Sequence, residues 1–441
     1  MYWMGIKMSK SYIIIPGCSD LNRGDQALVW ETKRIAEEAG YIGEFYLIAE
    51  QNEPVQQSEA KGIHTIRPII EHPSRLFRNK ANIQYTMLLK VQWGVVAVFD
   101  FLSSLLFLWS PTRKILKYCI SKEKRVSLEI MKNADAFFVK GGGLFQSYGG
   151  VSSTYSMYFW CYHIFLAKSF RKLIYVMPNS FGPFYGPFVK EIAGKALRCC
   201  AIVTSRESLS SRMVKDKLEL DVSTYPDLAF RLETGKLNRE EVFLKYNLPK
   251  DRKLVALTMR PYRFPDANNP ERAYKIFKEE MAKFIHWLYE NGYMAVIVEH
   301  TLAMNSHEND AACIKDVTSK IEIMEYRLIS EKTYDCHDLK CIYSYCDYIV
   351  GTRFHSVIFA IGSGIPGIAI SYAGNKSKGI MKDLGLSKYV IDINEVTSKK
   401  LEEKFLRLLK EEKQIKANIK NYINDANEKY QELIKRLISS Y

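Results

Sequence analysis

The chain reads as an α/β protein of two doubly wound domains facing one another across a cleft. Three observations predict it. Short apolar runs of strand length alternate with longer helical patterns, the signature of βαβ units and of a parallel sheet covered on both faces. The alternation occurs twice, separated by a polar stretch rich in Lys and Glu over residues 233–252. The 441 residues, 47% hydrophobic and 25% charged, suffice to bury two cores of ordinary domain size.

In the first series strands are expected at 12–15, 44–48, 136–139, 173–176 and 201–204, with helical patterns between most of them. In the second they are expected at 254–258, 295–299, 321–324, 348–350, 367–370 and 390–391, and a long charged helix over 398–439 closes the chain. The expected boundaries are therefore 1–235 for the first domain, with an apolar and basic insertion at about 75–125, then 250–397 for the second domain and 398–441 for the last helix.

The formal charge of +14 favours an anionic small substrate, an anionic membrane surface or nucleic acid. The basic residues are spread along the chain instead of clustering with aromatics, which sets nucleic acid aside. Nine cysteines, an odd number without a secretory signal, read as reduced thiols of a cytoplasmic protein. Cys336, Cys341 and Cys346 beside His337 are the nearest approach to a metal pattern. Five-residue spacing does not put ligands on one helical face and no CxxC occurs, so they read as buried thiols and no metal is expected.

The most informative run is Asp347-Tyr-Ile-Val-Gly351-Thr-Arg353-Phe-His355-Ser356. Arg353 and His355 follow a short apolar strand and precede an apolar helix, so both belong at a strand's carboxyl end. In open parallel sheets ligands bind there, where helix N-termini and loop side chains are exposed together. A fixed cation two residues from an imidazole suggests an anion held beside a proton donor. Two glycine-bearing turns fall at equivalent places in the first series. Gly17 to Asp25 links the first strand to its helix, with Asp25 suited to the helix start, and Gly141-Gly142-Gly143 leaves backbone amides open to a ligand. Neither turn is a GxGxxG or a GxxxxGK[ST] motif.

Taken in order, Asn22-Arg-Gly24-Asp25, Gly141-Gly-Gly143, Pro178-Asn-Ser180-Phe-Gly182-Pro183, Ser205-Arg206-Glu207-Ser208, Pro226-Asp227-Leu-Ala-Phe230, Arg260, Gly351-Thr-Arg353-Phe-His355 and Lys376 with Gly379-Ile-Met resemble the polysaccharide pyruvyl transferases. The likeness runs from about Tyr12 to Leu386. It implies two Rossmann-like domains arranged as in the nucleotide-sugar glycosyltransferases of GT-B type. It also implies transfer of an enolpyruvyl-derived group from phosphoenolpyruvate to two hydroxyls of one sugar, giving a pyruvate ketal and phosphate. No cofactor is needed beyond phosphoenolpyruvate as donor, and the acceptor is a sugar of a cell-surface polysaccharide or its lipid-linked precursor.

That chemistry fits the residue types. Phosphoenolpyruvate carries a carboxylate and a phosphate, and Arg206, Arg260, Arg353 and Lys376 are expected to meet it from both walls of the cleft. Asn22, Asp25, Gly142 and Gly143 are expected to line the first wall. His355 is the expected general acid toward C3 of the enol, as an imidazolium beside the anion, with Arg353 stabilising charge. Asp25 or Glu207 is the expected base, and Asp227 is divided between a site role and a loop-anchoring one. His300 is the one further histidine noted, for its place at the end of a second-domain strand.

Residues 91–109 stand outside the likeness. Only Gln92, Asp100, Ser103 and Ser104 are clearly polar there, and the polar residues gather near one stripe, bracketed by Trp93 and Trp109. The length approaches that of a membrane span. Arg75, Arg78, Lys80 and Lys90 on one side and Arg113, Lys114 and Lys117 on the other make both flanks cytoplasmic, which argues against crossing. The expectation is peripheral contact with the inner leaflet, against a helix buried on its own domain or on a dimer partner. Two other functions share the architecture: a glycosyltransferase using a nucleotide sugar, and a sugar-binding relic without catalysis.

Overall fold

The computed structural model describes residues 10–49, 53–71, 87–303, 308–372 and 374–440. Arg75, Arg78, Lys80 and the side chain of Lys90 lie outside the described residues.

The first sheet is parallel and runs in the order β3-β2-β1-β4-β6-β7-β8, with β5 paired to β6. Its strands are β1 (Ser11–Ile15), β2 (Glu44–Ile48), β3 (Ile63–Ile66), β4 (Ala136–Val139), β5 (Gly142–Tyr148), β6 (Leu173–Tyr185), β7 (Ile202–Ser205) and β8 (Ser223–Thr224). The second sheet runs β11-β10-β9-β12-β13-β14, built from β9 (Lys253–Thr258), β10 (Tyr293–Val298), β11 (Tyr326–Ile329), β12 (Tyr348–Gly351), β13 (Gly367–Ser371) and β14 (Val390–Asp392). Each order reverses beside the first strand of its own series, so each sheet opens a crevice at that switch point. The strands there carry continuous apolar runs, Ile13 to Ile15 and Val255 to Leu257, because helices bury both faces.

The domains interlock at short range. Asn22 and Thr301 form an antiparallel bridge between the two loops that flank the crevice. The guanidinium of Arg23, 1% exposed, reaches Gln57 Oε1 at 2.7 Å in its own domain and the carbonyl of Lys332 at 2.8 Å in the other. Gly24 makes the contact possible: a Cβ on it would lie 2.1 Å from Nδ1 of His355. Gly379 does the same from the second domain, where a Cβ would lie 2.2 Å from Cγ of Glu207.

The chain closes with two helices, Ser398–Lys410 and Glu412–Ser440, instead of the single helix expected over 398–439. The second begins on the second domain, where Tyr348 donates to Glu412 at 2.9 Å. It ends on the first, where Arg436 meets Ser223 at 2.7 Å and Tyr41 donates to the carbonyl of Leu437 at 3.1 Å. The strand expected at 321–324 is displaced: a short turn occupies Ile323–Glu325 and β11 follows it. Cys336, Cys341 and Cys346 are buried thiols.

Candidate functional site

The cleft is assembled from the carboxyl ends of strands in both sheets. From β1 the chain turns through Asn22, whose side chain caps the Arg23–Glu38 helix by accepting from the amides of Gly24 and Asp25. Asn22 Nδ2 donates to Asp25 Oδ2 at 2.8 Å, fixing that carboxylate on the helix's first turn. The end of β4 presents Lys140, whose Nζ meets Asp25 Oδ1 at 2.5 Å. Burial acts to raise the Asp25 carboxyl, but Lys140, followed by His355 and Lys376, pulls it down to about 2. The β4–β5 turn then supplies Gly142, with φ at +145°, and Gly143. Past β7 stands Arg206, 1% exposed, held by Asp227 at 2.6 Å and by Ser180 Oγ at 2.7 Å.

The opposite wall repeats the plan. Arg260 follows β9, Arg353 and His355 follow β12, and Tyr372 and Lys376 follow β13. Arg353 is tethered through Nε to Asp310 Oδ1 at 2.8 Å and through Nη2 to the carbonyl of Glu308, so its charge has a fixed position. Asp347, six residues before it, accepts from the amide of Leu254. Arg260 stacks on the ring of Tyr372 with the guanidinium carbon 4.4 Å from its centroid. All nine residues expected in the site line this one cleft of about 380 Å³: Asn22, Asp25, Gly142, Gly143, Arg206, Arg260, Arg353, His355 and Lys376.

Charge is not balanced within it. Lys140, Arg206 and Arg353 have the carboxylates of Asp25, Asp227 and Asp310, but among the described residues Arg260 and Lys376 form no ion pair with a carboxylate. Lys376 opens the Lys376–Asp383 helix, where the dipole disfavours a cation. Burial lowers its ammonium pKa, with Arg206 and Arg260 adding to the effect and Tyr372 opposing it. Burial acts to raise the Tyr372 phenol, yet Lys376, Arg260 and Arg353 together bring it down to about 7. Two buried imidazole nitrogens of residues that line the cleft, Nε2 of His355 and Nε2 of His300, have no hydrogen-bond partner among the described residues, and that of His355 lies 3.9 Å from Asp227 Oδ2. Buried polar atoms without protein partners at a cationic cleft are what a polar anionic ligand would satisfy.

Two expectations about proton transfer change. Burial, with Lys376 and Arg206 outweighing Asp227, depresses His355 to about 3, so among its protein neighbours alone the ring is neutral and not an imidazolium. Glu207 is 0% exposed behind Arg206, bonded to Ser180 at 2.9 Å and to Ser210, and does not line the cleft. Asp25 does line it, but a carboxylate at about 2 is a weak base. Sequence reasoning missed Tyr372, the group in the cleft best matched to accept or release a proton near neutrality. It also missed Lys140. Asp227 has the anchoring role considered for it, capping the turn at Leu228–Phe230 through the amide of Ala229 and pairing with Arg206, and does not itself line the cleft.

A smaller chamber of about 230 Å³ opens from the same cleft, sharing Asn22, Asp25, Trp160 and Glu308 with it. Its far wall carries Ile70, Phe159 and His163, so it is less polar than the cationic part.

Comparison with known proteins names the family. The description of polysaccharide pyruvyl transferase matches residues 22–374, from the Asn22 cap through the loop after Tyr372. The chain belongs to that family. Among characterised relatives, the amylovoran biosynthesis protein AmsJ of Erwinia amylovora is 26% identical over 272 residues, covering 60% of this chain and 62% of that protein. Among solved structures, the UDP-GlcNAc 2-epimerase of Neisseria meningitidis superposes over 98% of this chain and all of its own, with a TM-score of 0.54 and 11% identity. An α,α-trehalose-phosphate synthase of Burkholderia vietnamiensis covers 99% and 100%, with a TM-score of 0.51 and 10% identity. At such identities these likenesses establish the two-domain GT-B architecture for this pyruvyl transferase family member, and nothing further.

Proposed function

We propose that this protein transfers the enolpyruvyl-derived group of phosphoenolpyruvate to two hydroxyls of one sugar during cell-surface polysaccharide synthesis on the cytoplasmic side. One observation carries the reading: Arg260 and Lys376, which form no ion pair with a carboxylate among the described residues, converge with Arg206 and Arg353 around a cleft sized for a small polyanion. A carboxylate and a phosphate on one small molecule would use four cations on two walls, and bidentate arginine geometry suits either group. The less polar chamber beside it would take the sugar, with Asn22, Asp25 and Trp160 at the junction.

The proton balance assigns roles. Two sugar hydroxyls each form a bond to C2 and lose a proton; C3 gains one proton and the C2–O bond to phosphate breaks, the second proton leaving with phosphate or solvent. The trianion raises the His355 pKa by its charge, so donor binding generates the imidazolium that then donates to C3. Asp25, which lines both cleft and chamber and whose pKa the same trianion raises, takes the hydroxyl proton. Arg353 and Lys376 hold the departing phosphate.

A thermal-shift series tests the donor, since a ligand that binds only the folded state raises the melting temperature. Phosphoenolpyruvate should stabilise the protein and nucleotide sugars should not; the reverse outcome assigns it to nucleotide-sugar chemistry. Mass spectrometry of glycan made with and without the protein reads the added pyruvate and identifies the sugar.

A further inference from the structure

The Met87–Leu108 helix is amphipathic in the inverted sense. A helix on a water-soluble domain turns its apolar stripe inward and its polar face to solvent. Here the polar stripe faces the protein. Asp100 accepts from Tyr155 at 2.6 Å, and Ser104, 1% exposed, bonds Tyr158 at 2.8 Å. Both tyrosines belong to the Ser153–Ser169 helix, which the first domain buries on its other side. The outward face is Val91, Val95, Val98, Phe99, Leu102 and Leu106, with Phe99 74% exposed and Val95 66% exposed, and Trp109 follows at the helix end. At 1.5 Å per residue the 22 residues make a rod roughly 33 Å long, apolar along most of its outer side.

We infer that this face is a docking surface for an anionic lipid bilayer, with the helix lying in the leaflet. Charge decides between a bilayer and a second copy of the chain. Lys114 and Lys122 are exposed in the segments that follow the helix, and the whole chain carries +14. Two copies pressed together along this face would bring like charges together, whereas anionic headgroups complement them. Crossing the bilayer is disfavoured because Asp100 and Ser104, one turn apart in the second half of the helix, are tied to the domain. The same Ser153–Ser169 helix whose Tyr155 and Tyr158 hold the rod turns Phe159, Trp160 and His163 into the smaller chamber. The chamber is thus about two helix diameters, roughly 20 Å, from the apolar face. The docking surface does not depend on the pyruvyl reading; its consequence does, namely that the sugar entering the chamber is carried on a lipid.

Flotation of the full chain with vesicles tests it, using phosphatidylcholine alone and phosphatidylcholine with one third phosphatidylglycerol. The expected result is retention on the anionic vesicles, weakened roughly tenfold or more without the anionic lipid or in high salt. Phe99→Glu and Leu102→Glu should each abolish retention at unchanged melting temperature, since neither side chain is in the core. Lys114→Glu combined with Lys122→Glu should weaken it. Loss of the protein from both vesicle types at low salt would overturn the inference, as would retention unchanged by Phe99→Glu. Light scattering that found a dimer dissolved by Phe99→Glu would instead give the face to a second copy. Donor stabilisation is read separately, so failure of the pyruvyl reading would leave this result standing.

Discussion

Tyr372 owes its acidity to geometry, since a phenol is brought to about 7 only because Lys376, Arg260 and Arg353 arrive from three different loops. His355 is depressed to about 3 by burial and by cations of both walls. An anion bound between them offsets the cations that lower both groups, so each takes up a proton as the donor binds, and donor affinity should fall as pH rises. Calorimetry in buffers of different ionisation enthalpy measures the uptake, and subtracting a variant cancels the ligand's own protons. At pH 6 the difference should reside in His355 and vanish in His355→Gln. At pH 8 it should reside in Tyr372 and vanish in Tyr372→Phe. Uptake unchanged in both variants would remove these residues from the donor site. Arg353 makes a second case. Arg353→Ala would strand Asp310, 0% exposed, and breaking a buried pair costs about 3–5 kcal/mol. The double change Arg353→Gln with Asp310→Asn should recover most of the melting temperature but not donor binding, which separates the fixed charge from its structural tether. Arg353, His355 and Lys376 were legible in the sequence because their spacing after strands is local. Tyr372 and Lys140 were not, because nothing near them in sequence reports the groups they meet in space.

The elements that place these residues depend on close approach. Gly24 lets the Arg23–Glu38 helix start against His355, and the Asn22 cap fixes where that start falls. Gly24→Ala should displace the imidazole, cutting turnover far more than stability, while Asn22→Ala should cost about 1 kcal/mol of stability through the lost cap; kinetics and thermal melts on the two variants distinguish the effects. Most strands were readable because both-face burial writes continuous apolar runs. β3, β5 and β8 were overlooked: β3 has four residues with only its two ends buried, β5 follows β4 after a two-residue turn, and β8 has two residues. The run at 321–324 misled for the opposite reason. Ile323 and Met324 are apolar but exposed, and the strand that follows, at the sheet's edge, is mostly partly exposed.

At the scale of the whole molecule, the last helix does what composition could not foretell: one unbroken run of 29 residues starts on one domain and finishes on the other. Midway, Tyr422 packs on Phe230 at 5.1 Å between ring centroids, and Tyr430 donates to the backbone carbonyl of Asp227 at 2.6 Å, the residue that holds Arg206. Asn421 is exposed on this helix, so Asn421→Pro disturbs backbone with little loss of packing. It should cost about 3 kcal/mol and weaken donor binding, while Asn421→Ala should do neither; melting and donor titration of the pair read the contrast. The other link between the halves is the ordinary chain after Phe230. Held by the last helix as a strut, by the linker with its Arg239–Lys245 helix and by the contacts of Asn22 with Thr301 and Arg23 with Lys332, the halves have few ways to move. A strut roughly 44 Å long resists bending, so the jaws can swing about it as about an axle, but they cannot slide or draw apart where it runs. Opening must widen the mouth remote from that axle while Arg206, moored to it through Asp227, keeps its station.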